Sequence, residues 1–281
     1  MYRNRTISQW HQKLIAATMV IALSLIFALP AFAITYGEPD GNDHPFVGSM
    51  VLRIPDVGVF QWCSGTLIAE DVFLTASHCT AGVDQFLATI PGADMVVTFD
   101  PTISETSTYF TGELVTNPNF NGFRGPGGQS DPGDIAVILL DEAPGITPAS
   151  LPPVGLLDTL KANHTLRHTR FTAVGYGTVR ETNTTGFQGI LDNLDRNRVE
   201  QGFLSLTPSW LTLSMNLSTG SGGTCYGDSG GPHFIHIDGE ETTMVVSVTV
   251  TGDAPCVATD KTYRTDTPAA RAFLANYVDL P

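Results

Sequence analysis

The chain has 281 residues, of which 42% are hydrophobic and only 15% are charged. A sequence this apolar is not intrinsically disordered, and it is long enough for a sizeable core in one large domain or two small ones. Asp and Glu number 28 against 14 Lys and Arg, a formal net charge of −14. This deficit of basic residues argues against nucleic-acid binding, because phosphate recognition needs a basic surface.

The start of the chain has the three parts of a secretory signal peptide. Three basic residues and no acid precede the uncharged run Leu14–Leu29, and residues 31–33 read Ala-Phe-Ala, an A-x-A cleavage site. An uncleaved membrane anchor is the alternative, but the run is short of the roughly 20 apolar residues that a span needs. We therefore predict a signal peptide at 1–33 and an exported protein at 34–281, with no membrane association after cleavage.

Beyond residue 33, short apolar or β-branched runs alternate with Gly, Pro, Asn and Asp, which is typical of an all-β sandwich or barrel. The end of the chain differs. Thr267 can cap a helix, Pro268 suits its first position, and apolar residues then recur on one face, so we predict a C-terminal helix over 268–279. The predicted strands are Phe46–Leu52, Gly65–Ile68, Val72–Thr75, Met95–Phe99, Ile135–Leu140, Phe171–Val174 and Met244–Val250.

Four cysteines in an exported chain predict disulfide bonds, and four cysteines allow three pairings. No two of them have C-x-x-C spacing, and no HExxH or comparable histidine cluster occurs. We therefore expect neither a metal site nor a cofactor.

Three short motifs carry residues suited to nucleophilic catalysis. Residues 224–232 read TCYGDSGGP; Ser229 needs a base to take its proton, and the glycines permit unusual torsions and close approach of the backbone. Residues 74–79 read LTASHC, and His78 can accept and return a proton near neutral pH. Asp134 opens the run DIAVILL and can orient an imidazole. Each motif alone also fits a structural interpretation, as a surface turn, a partly buried histidine or an acid that ends a turn.

Together these motifs resemble T-A-x-H-C, D-I-A and G-D-S-G-G-P of the chymotrypsin-like (trypsin-fold) serine proteases, in the same order along the chain. The resemblance runs from about Ile34 to Pro281. It implies an all-β fold of two six-stranded antiparallel β-barrels with a short C-terminal helix and the active site between the barrels. It also implies an endopeptidase that acts on proteins or peptides through an acyl-enzyme, and we expect a monomer.

The resemblance assigns a role to each motif residue. Ser229 is the nucleophile, His78 is the general base and acid, and Asp134 orients the imidazole. The backbone N–H groups of Gly227 and Ser229 form the oxyanion hole. Ser77 replaces the alanine that is common beside the family's histidine, a small change that we expect to be tolerated.

The family's pattern also selects one of the three cysteine pairings. It implies Cys63–Cys79, which would join the histidine loop to a neighbouring strand, and Cys225–Cys256 beside the nucleophile. The segment Gly175-Tyr176-Gly177 resembles the family's G-W-G turn, with Tyr in place of Trp. The substrate-pairing S-W-G segment of the family has only partial matches, at Ser247 and at Gly252.

Activation in this family depends on a freed N-terminal amine, usually on Ile, that pairs with the Asp before the nucleophile, here Asp228. Ile34 directly follows the predicted cleavage site. Removal of the signal peptide is therefore expected to create the activating terminus at Ile34. The alternative is that Ile34 is only the residue at which the signal ends.

The specificity pocket is expected to accept non-basic side chains. Family members that cut after Arg or Lys carry Asp six positions before the nucleophile, where this chain has Gly223, flanked by Thr224 and Tyr226. Asp260 and Lys261 lie in the segment that forms the far wall of the family's pocket. An inward Lys261 would favour acidic side chains, and an inward Asp260 would favour basic ones.

Two other classes of function are alternatives to the protease. A catalytically inactive binding protein on the protease fold is the main alternative, and the presence of all three motif residues argues against it. An esterase or lipase on another fold would have the order Ser, Asp, His and a G-x-S-x-G elbow. This chain has the opposite order and G-D-S-G-G.

Overall fold

Strands make up most of the regular secondary structure in this computed structural model, which describes residues 35–122, 131–180, 190–191 and 193–281. The strands are β1 (Glu38–Pro39), β2 (Val47–Ile54), β3 (Gly58–Leu67), β4 (Val72–Thr75), β5 (Asp94–Thr98), β6 (Gly112–Thr116), β7 (Ala136–Leu140), β8 (Arg170–Gly175), β9 (Val179–Arg180), β10 (Ile190–Leu191), β11 (Asn197–Leu206), β12 (Trp210–Ser214), β13 (Pro232–Ile237), β14 (Glu240–Gly252) and β15 (Thr259–Arg264). The helices are α1 (Ser77–Thr80), α2 (Val83–Leu87), α3 (Leu156–Ala162) and α4 (Pro268–Leu274), with single 3₁₀ turns at Leu166–His168 and Leu217–Thr219.

The first half of the chain forms a curled six-stranded sheet in the order β5-β2-β3-β4-β7-β6, with antiparallel pairing throughout. Val97 in β5 and Phe110, just before β6, exchange two backbone hydrogen bonds of 2.8 Å, which bring the two edges of the sheet together. Phe73 is fully buried within the curl. A Cβ on Gly65 would lie 2.4 Å from the Phe73 ring, so this close approach requires glycine.

The second half forms a closed antiparallel barrel of six strands. The order is β11-β12-β15-β14-β13-β8, and β8 pairs with β11 as well as with β13, so the sheet has no free edge. The short strand β1 adds to β11 on the outside of this ring. The prediction of two six-stranded antiparallel barrels is confirmed.

The observed strands are longer than the predicted ones where hairpins extend beyond the apolar core. Strand β4 has the predicted bounds because all four of its residues are buried. Strand β14 begins four residues before the predicted Met244, since the polar segment from Glu240 pairs with the end of β13. Backbone pairing alone extends these hairpins, and it leaves no apolar pattern in the sequence.

The C-terminal helix is present but shorter than the predicted 268–279. The side chain of Thr267 caps it as expected, accepting a hydrogen bond from the N–H three residues on. The helix ends at Leu274, where Tyr277 N–H bonds to the Leu274 carbonyl and tightens the chain into a turn. The residues after Leu274 still pack their apolar side chains on the core, which explains why their spacing looked helical.

The helices that the structure describes are short, and α3 and α4 have seven residues each. No helix within the described ranges is both long and apolar enough to cross a bilayer. The predicted signal peptide at 1–33 lies outside the described residues.

Candidate active site

The predicted base His78 lies in α1, immediately after the buried strand β4. Strand β4 pairs with β7, and Thr75 stands opposite Ala136. The strands are antiparallel, so residues that follow β4 meet residues that precede β7. This topology brings His78 beside Asp134.

Two hydrogen bonds join His78 and Asp134. The Oδ2 atom of Asp134 lies 2.9 Å from Nδ1 of the imidazole, and Oδ1 accepts from the backbone N–H of His78 at 2.9 Å. The Asp134 side chain is fully buried, whereas the His78 side chain is 24% exposed. The buried carboxylate therefore holds the imidazole at its Nδ1 edge, and the His78 side chain stays partly exposed to solvent.

Ser77 holds the segment on both sides of Asp134. Its Oγ donates to the carbonyl of Ile135 at 2.7 Å and accepts from the backbone N–H of Asn117 at 3.2 Å. The carbonyl of Gly133 lies 3.3 Å from the same oxygen. Ser77 is fully buried, so these bonds are shielded from water.

The predicted nucleophile Ser229 lies in the turn before β13, half-buried. Its carbonyl accepts from the N–H of Ser64 at 2.9 Å, and the N–H of Gly230 donates to Thr249 at 2.8 Å. Gly230 has a φ of +80°, and a Cβ there would lie 2.1 Å from Oγ1 of Thr75. The turn therefore packs closely against Thr75 at the end of β4, three residues before His78.

The structure contains both disulfides that the resemblance implied. Cys63–Cys79 joins β3 to α1, and the Sγ of Cys79 lies 3.7 Å from the carbonyl of Ser229. Cys225–Cys256 joins the segment before the nucleophile to the loop between β14 and β15. The first bridge and a His78 ring nitrogen form the one cluster of potential metal ligands within the described residues. Its sulfurs are disulfide-bonded and supply no thiolate.

Gly227 lies two residues before Ser229, in a conformation that favours glycine. Its φ is +97°. The preceding carbonyl, of Tyr226, accepts from the N–H of Thr178 at 2.7 Å. A trans peptide is planar, so the Gly227 N–H points away from that bond.

Asp228 is enclosed by backbone. Its Oδ1 accepts from the N–H of Gly177 at 2.7 Å and its Oδ2 from that of Cys225 at 2.9 Å. A Cβ on Gly177 would lie 2.5 Å from the carboxylate, which explains the glycine in this turn. Burial raises the pKa of Asp228 to about 7, and the negative charge of Asp260 adds to the rise. Its predicted partner, Ile34, lies outside the described residues.

A protein-family model described as Trypsin matches residues 35–272. The chain belongs to the trypsin family. Snake venom serine protease PA of Trimeresurus stejnegeri is 26% identical over 235 residues, which cover 78% of this chain and 79% of that protein. Trypsin of Saccharopolyspora erythraea is 29% identical over 218 residues, which cover 71% and 81%. As a member of this family, the protein is a serine-type endopeptidase that acts on proteins or peptides.

The solved structure of HL collagenase has the same fold as this trypsin-family chain. Its TM-score is 0.59 over 86% of this chain and 98% of its own, at 18% sequence identity. At this level of identity the similarity supports the fold alone. It agrees with the two antiparallel six-stranded units described above.

In this trypsin-family chain, Gly223 exchanges two backbone hydrogen bonds with Thr35, of 3.0 and 2.9 Å. A Cβ on Gly223 would lie 2.0 Å from Sδ of Met215, so an apolar side chain fills the space beside the glycine. Thr224 is buried. Tyr226 is 54% exposed, and its hydroxyl donates to the carbonyl of Ala254 at 3.1 Å.

Asp260 and Lys261 point to opposite faces of β15, as neighbours in a strand do. The Oδ2 of Asp260 accepts from Nε2 of Gln201 at 3.0 Å and lies 3.0 Å from Nε2 of His233. These partners lie on β11 and β13, neither of which neighbours β15, so the contacts cross the barrel interior. The ammonium of Lys261 instead lies 4.4 Å from the ring centre of Trp210.

Thr249 is a site residue that the sequence pattern missed. Its N–H donates to the carbonyl of Gly231 at 2.9 Å, and its carbonyl accepts from the N–H of Gly230. Thr249 therefore lies beside the turn that carries Ser229. Ser247, which matched the S-W-G pattern in part, instead accepts a hydrogen bond from the hydroxyl of Thr262 within the second barrel. No S-W-G signature marks Thr249, and only the backbone pairing reveals it.

Proposed function

We propose that this endopeptidase uses Ser229, His78 and Asp134 as its catalytic triad. The observation that carries the proposal is the pair of hydrogen bonds from buried Asp134 to the ring and backbone of His78. With Nδ1–H donating to the carboxylate, Nε2 carries the lone pair that accepts a proton. That is the tautomer required of a base acting on a serine hydroxyl.

The reaction then proceeds through an acyl-enzyme. The Oγ of Ser229 attacks the scissile carbonyl carbon while His78 Nε2 takes its proton, and Asp134 stabilises the imidazolium. The oxyanion of the tetrahedral intermediate accepts from the N–H groups of Gly227 and Ser229. Collapse breaks the C–N bond, and the leaving amine takes the proton from His78. Water, deprotonated by His78, attacks the acyl-enzyme in the same way and releases the acid.

Activation is assigned to an amine at Ile34 that pairs with Asp228. A buried carboxylate is costly without a cation, and Asp228 accepts hydrogen bonds from two backbone N–H groups, those of Gly177 and Cys225. Thr35, the residue after Ile34, pairs through two backbone hydrogen bonds with Gly223, which precedes Asp228 in the same loop. N-terminal sequencing of active secreted protein is expected to give Ile34 as the first residue; any other start overturns this assignment.

We propose that residues 1–33 are removed as a signal peptide during export. This processing leaves 34–281 as the protease domain. Two disulfides and no free cysteine among the described residues fit an oxidising compartment. The mature protein is proposed to act as a monomer on protein or peptide substrates, without nucleic-acid or membrane partners. The deficit of basic residues supports the first exclusion.

The proposed preference is for non-basic side chains before the scissile bond. Gly223 supplies no charge, and Met215 supplies an apolar wall beside it. The carboxylate of Asp260 already has partners inside the barrel, Gln201 and His233. The ammonium of Lys261 lies over an aromatic ring. We therefore propose that neither the Asp260 carboxylate nor the Lys261 ammonium binds the substrate side chain.

A peptide-library digest with the purified mature protein tests this function. We expect cleavage after apolar or other non-basic residues, and no cleavage by Ser229→Ala. Cleavage after Arg or Lys that disappears in Asp260→Asn would contradict the assigned preference. A folded wild-type protein that cleaves nothing would contradict the enzyme and favour the inactive binding protein.

A further inference from the structure

We infer that Gln61 is a positioning residue for the oxyanion hole. Its side-chain amide holds the carbonyl of Gly227, and this restraint keeps the Gly227 N–H directed at the reacting carbonyl. The inference rests on the proposed function of Gly227 and Ser229. It concerns a contact between β3 and the nucleophile turn, which are far apart in the sequence.

The Nε2 of Gln61 donates to the carbonyl of Gly227 at 2.7 Å, and Oγ of Ser64 donates to the same oxygen at 3.1 Å. A Cβ on Gly227 would lie 2.2 Å from Oε1 of Gln61. The Gln61 amide therefore lies against the glycine, and this contact leaves no room for a side chain at 227.

These bonds control the direction of the oxyanion donor. The peptide before Gly227 is fixed by the bond from Thr178 to the Tyr226 carbonyl, at 2.7 Å. The peptide after Gly227 is fixed by Gln61 and Ser64. Because peptides are planar, the only free rotations between them are φ and ψ of Gly227. Fixing both planes therefore fixes the N–H of Gly227 before a substrate arrives.

Glycine makes this restraint necessary. Gly227 can rotate into several backbone conformations at little cost, and a donor that must reorient stabilises the transition state less than a preorganised one. Without Gln61, the carbonyl of Gly227 keeps only the longer bond from Ser64. The Ser64 hydroxyl also accepts from the N–H of Tyr176 at 3.0 Å, so its direction is set by a second group.

Two substitutions separate positioning from packing. Gln61→Leu keeps most of the volume and removes the donor, whereas Gln61→Glu keeps the shape and places an acceptor against a carbonyl. Gln85→Leu is the matched control, because Gln85 is exposed on α2. The readouts are kcat and KM on one peptide substrate, the inhibition constant of a peptide boronate that forms a tetrahedral adduct, and the midpoint of thermal unfolding.

For Gln61→Leu we expect kcat to fall about tenfold, less than the roughly 100- to 1,000-fold loss on removing an oxyanion donor outright. The boronate should bind more weakly by the same factor, with KM and the unfolding midpoint unchanged. Gln61→Glu should show a larger fall in kcat, and Gln85→Leu should leave kcat unchanged.

Two results would overturn the inference: an unchanged kcat in Gln61→Leu, or a loss of kcat without a matching loss of boronate affinity. Either can be read only in an active wild-type enzyme. A mature wild-type protein with no hydrolysis would instead overturn the proposed function itself.

Discussion

At the scale of single residues, the most informative departure from the family is Ser77 beside His78, the proposed base. An alanine there would lack the hydroxyl that bonds to this segment near Asp134. The serine hydroxyl adds a bond to the carbonyl of Ile135 and one from the N–H of Asn117. These partners lie beside the carboxylate that bonds to His78, so we expect the substitution to be tolerated.

Ser77→Ala is expected to lower the free energy of unfolding by about 1–3 kcal/mol, the usual cost of leaving a buried polar group unsatisfied. The N–H of Asn117 loses its partner, while alanine remains compatible with the family's catalytic geometry. Urea denaturation measures the change, with the exposed Ser218→Ala as control. An unchanged free energy of unfolding in Ser77→Ala would show that these bonds contribute nothing.

Sequence reasoning at this scale yields predictions where the chemistry restricts the residue type. A nucleophile, a base and an orienting acid need particular side chains, so Ser229, His78 and Asp134 stand out. Gln61 and Thr249 do not, because one acts through an ordinary amide on a strand and the other through its backbone. Their roles depend on contacts between distant segments, which only the fold reveals.

At the scale of elements, the Cys63–Cys79 bridge joins strand β3 to the helix that carries His78. It closes a loop with a sequence separation of 16 residues. Strand β3 also binds the Ser229 carbonyl through Ser64. The bridge therefore ties the helix that carries His78 to the same strand that bonds to the Ser229 turn.

Replacing both Cys63 and Cys79 with Ala is expected to cost about 3 kcal/mol of stability, the chain-entropy value for a loop near 15 residues. Urea denaturation measures this loss. Activity at a temperature where the variant is still folded should also fall, because α1 loses its tie beside His78. A variant with wild-type stability would contradict the assigned restraint.

The elements themselves were partly predictable. The buried strand β4 is apolar throughout, and its bounds follow from that pattern. The polar start of β14 and the early end of α4 could not be predicted, since each depends on backbone hydrogen bonds that leave no periodicity. Closure of the second barrel by β8 and β11 was implied by the resemblance and not by any local signal.

At the scale of the whole molecule, a largely buried charge network joins the segment between β1 and β2 to both halves of the fold. The His44 ring bonds to Asp40 through Nδ1 and to Glu241 in β14 through Nε2, at 2.6 Å in the second case. Arg196 lies 2.8 Å from Asp40 and donates to the carbonyl of Val47 in β2. Burial alone would lower the pKa of His44, but the two carboxylates outweigh it and raise the pKa to about 9.

This network predicts a pH dependence of stability. A histidine whose pKa rises from 6.5 to about 9 on folding stabilises the protein fully below pH 6.5, and this contribution is lost as pH rises through 9. The free energy of unfolding should therefore fall from pH 6.5 to 9 more steeply in wild type than in His44→Gln. Urea denaturation across this range measures the difference, with the exposed His168→Gln as control. Equal slopes in wild type and His44→Gln would contradict the assignment.

We propose that Ser229 is a nucleophile activated by His78 and Asp134. The most direct measurement is covalent labelling of the mature protein by a fluorophosphonate, with the adduct mapped by mass spectrometry. We expect a single adduct on Ser229, none in Ser229→Ala, and labelling about 10,000-fold slower in Asp134→Asn, where the imidazole is held in the wrong tautomer. A folded mature protein that takes no label, or takes it at another residue, would contradict the claim.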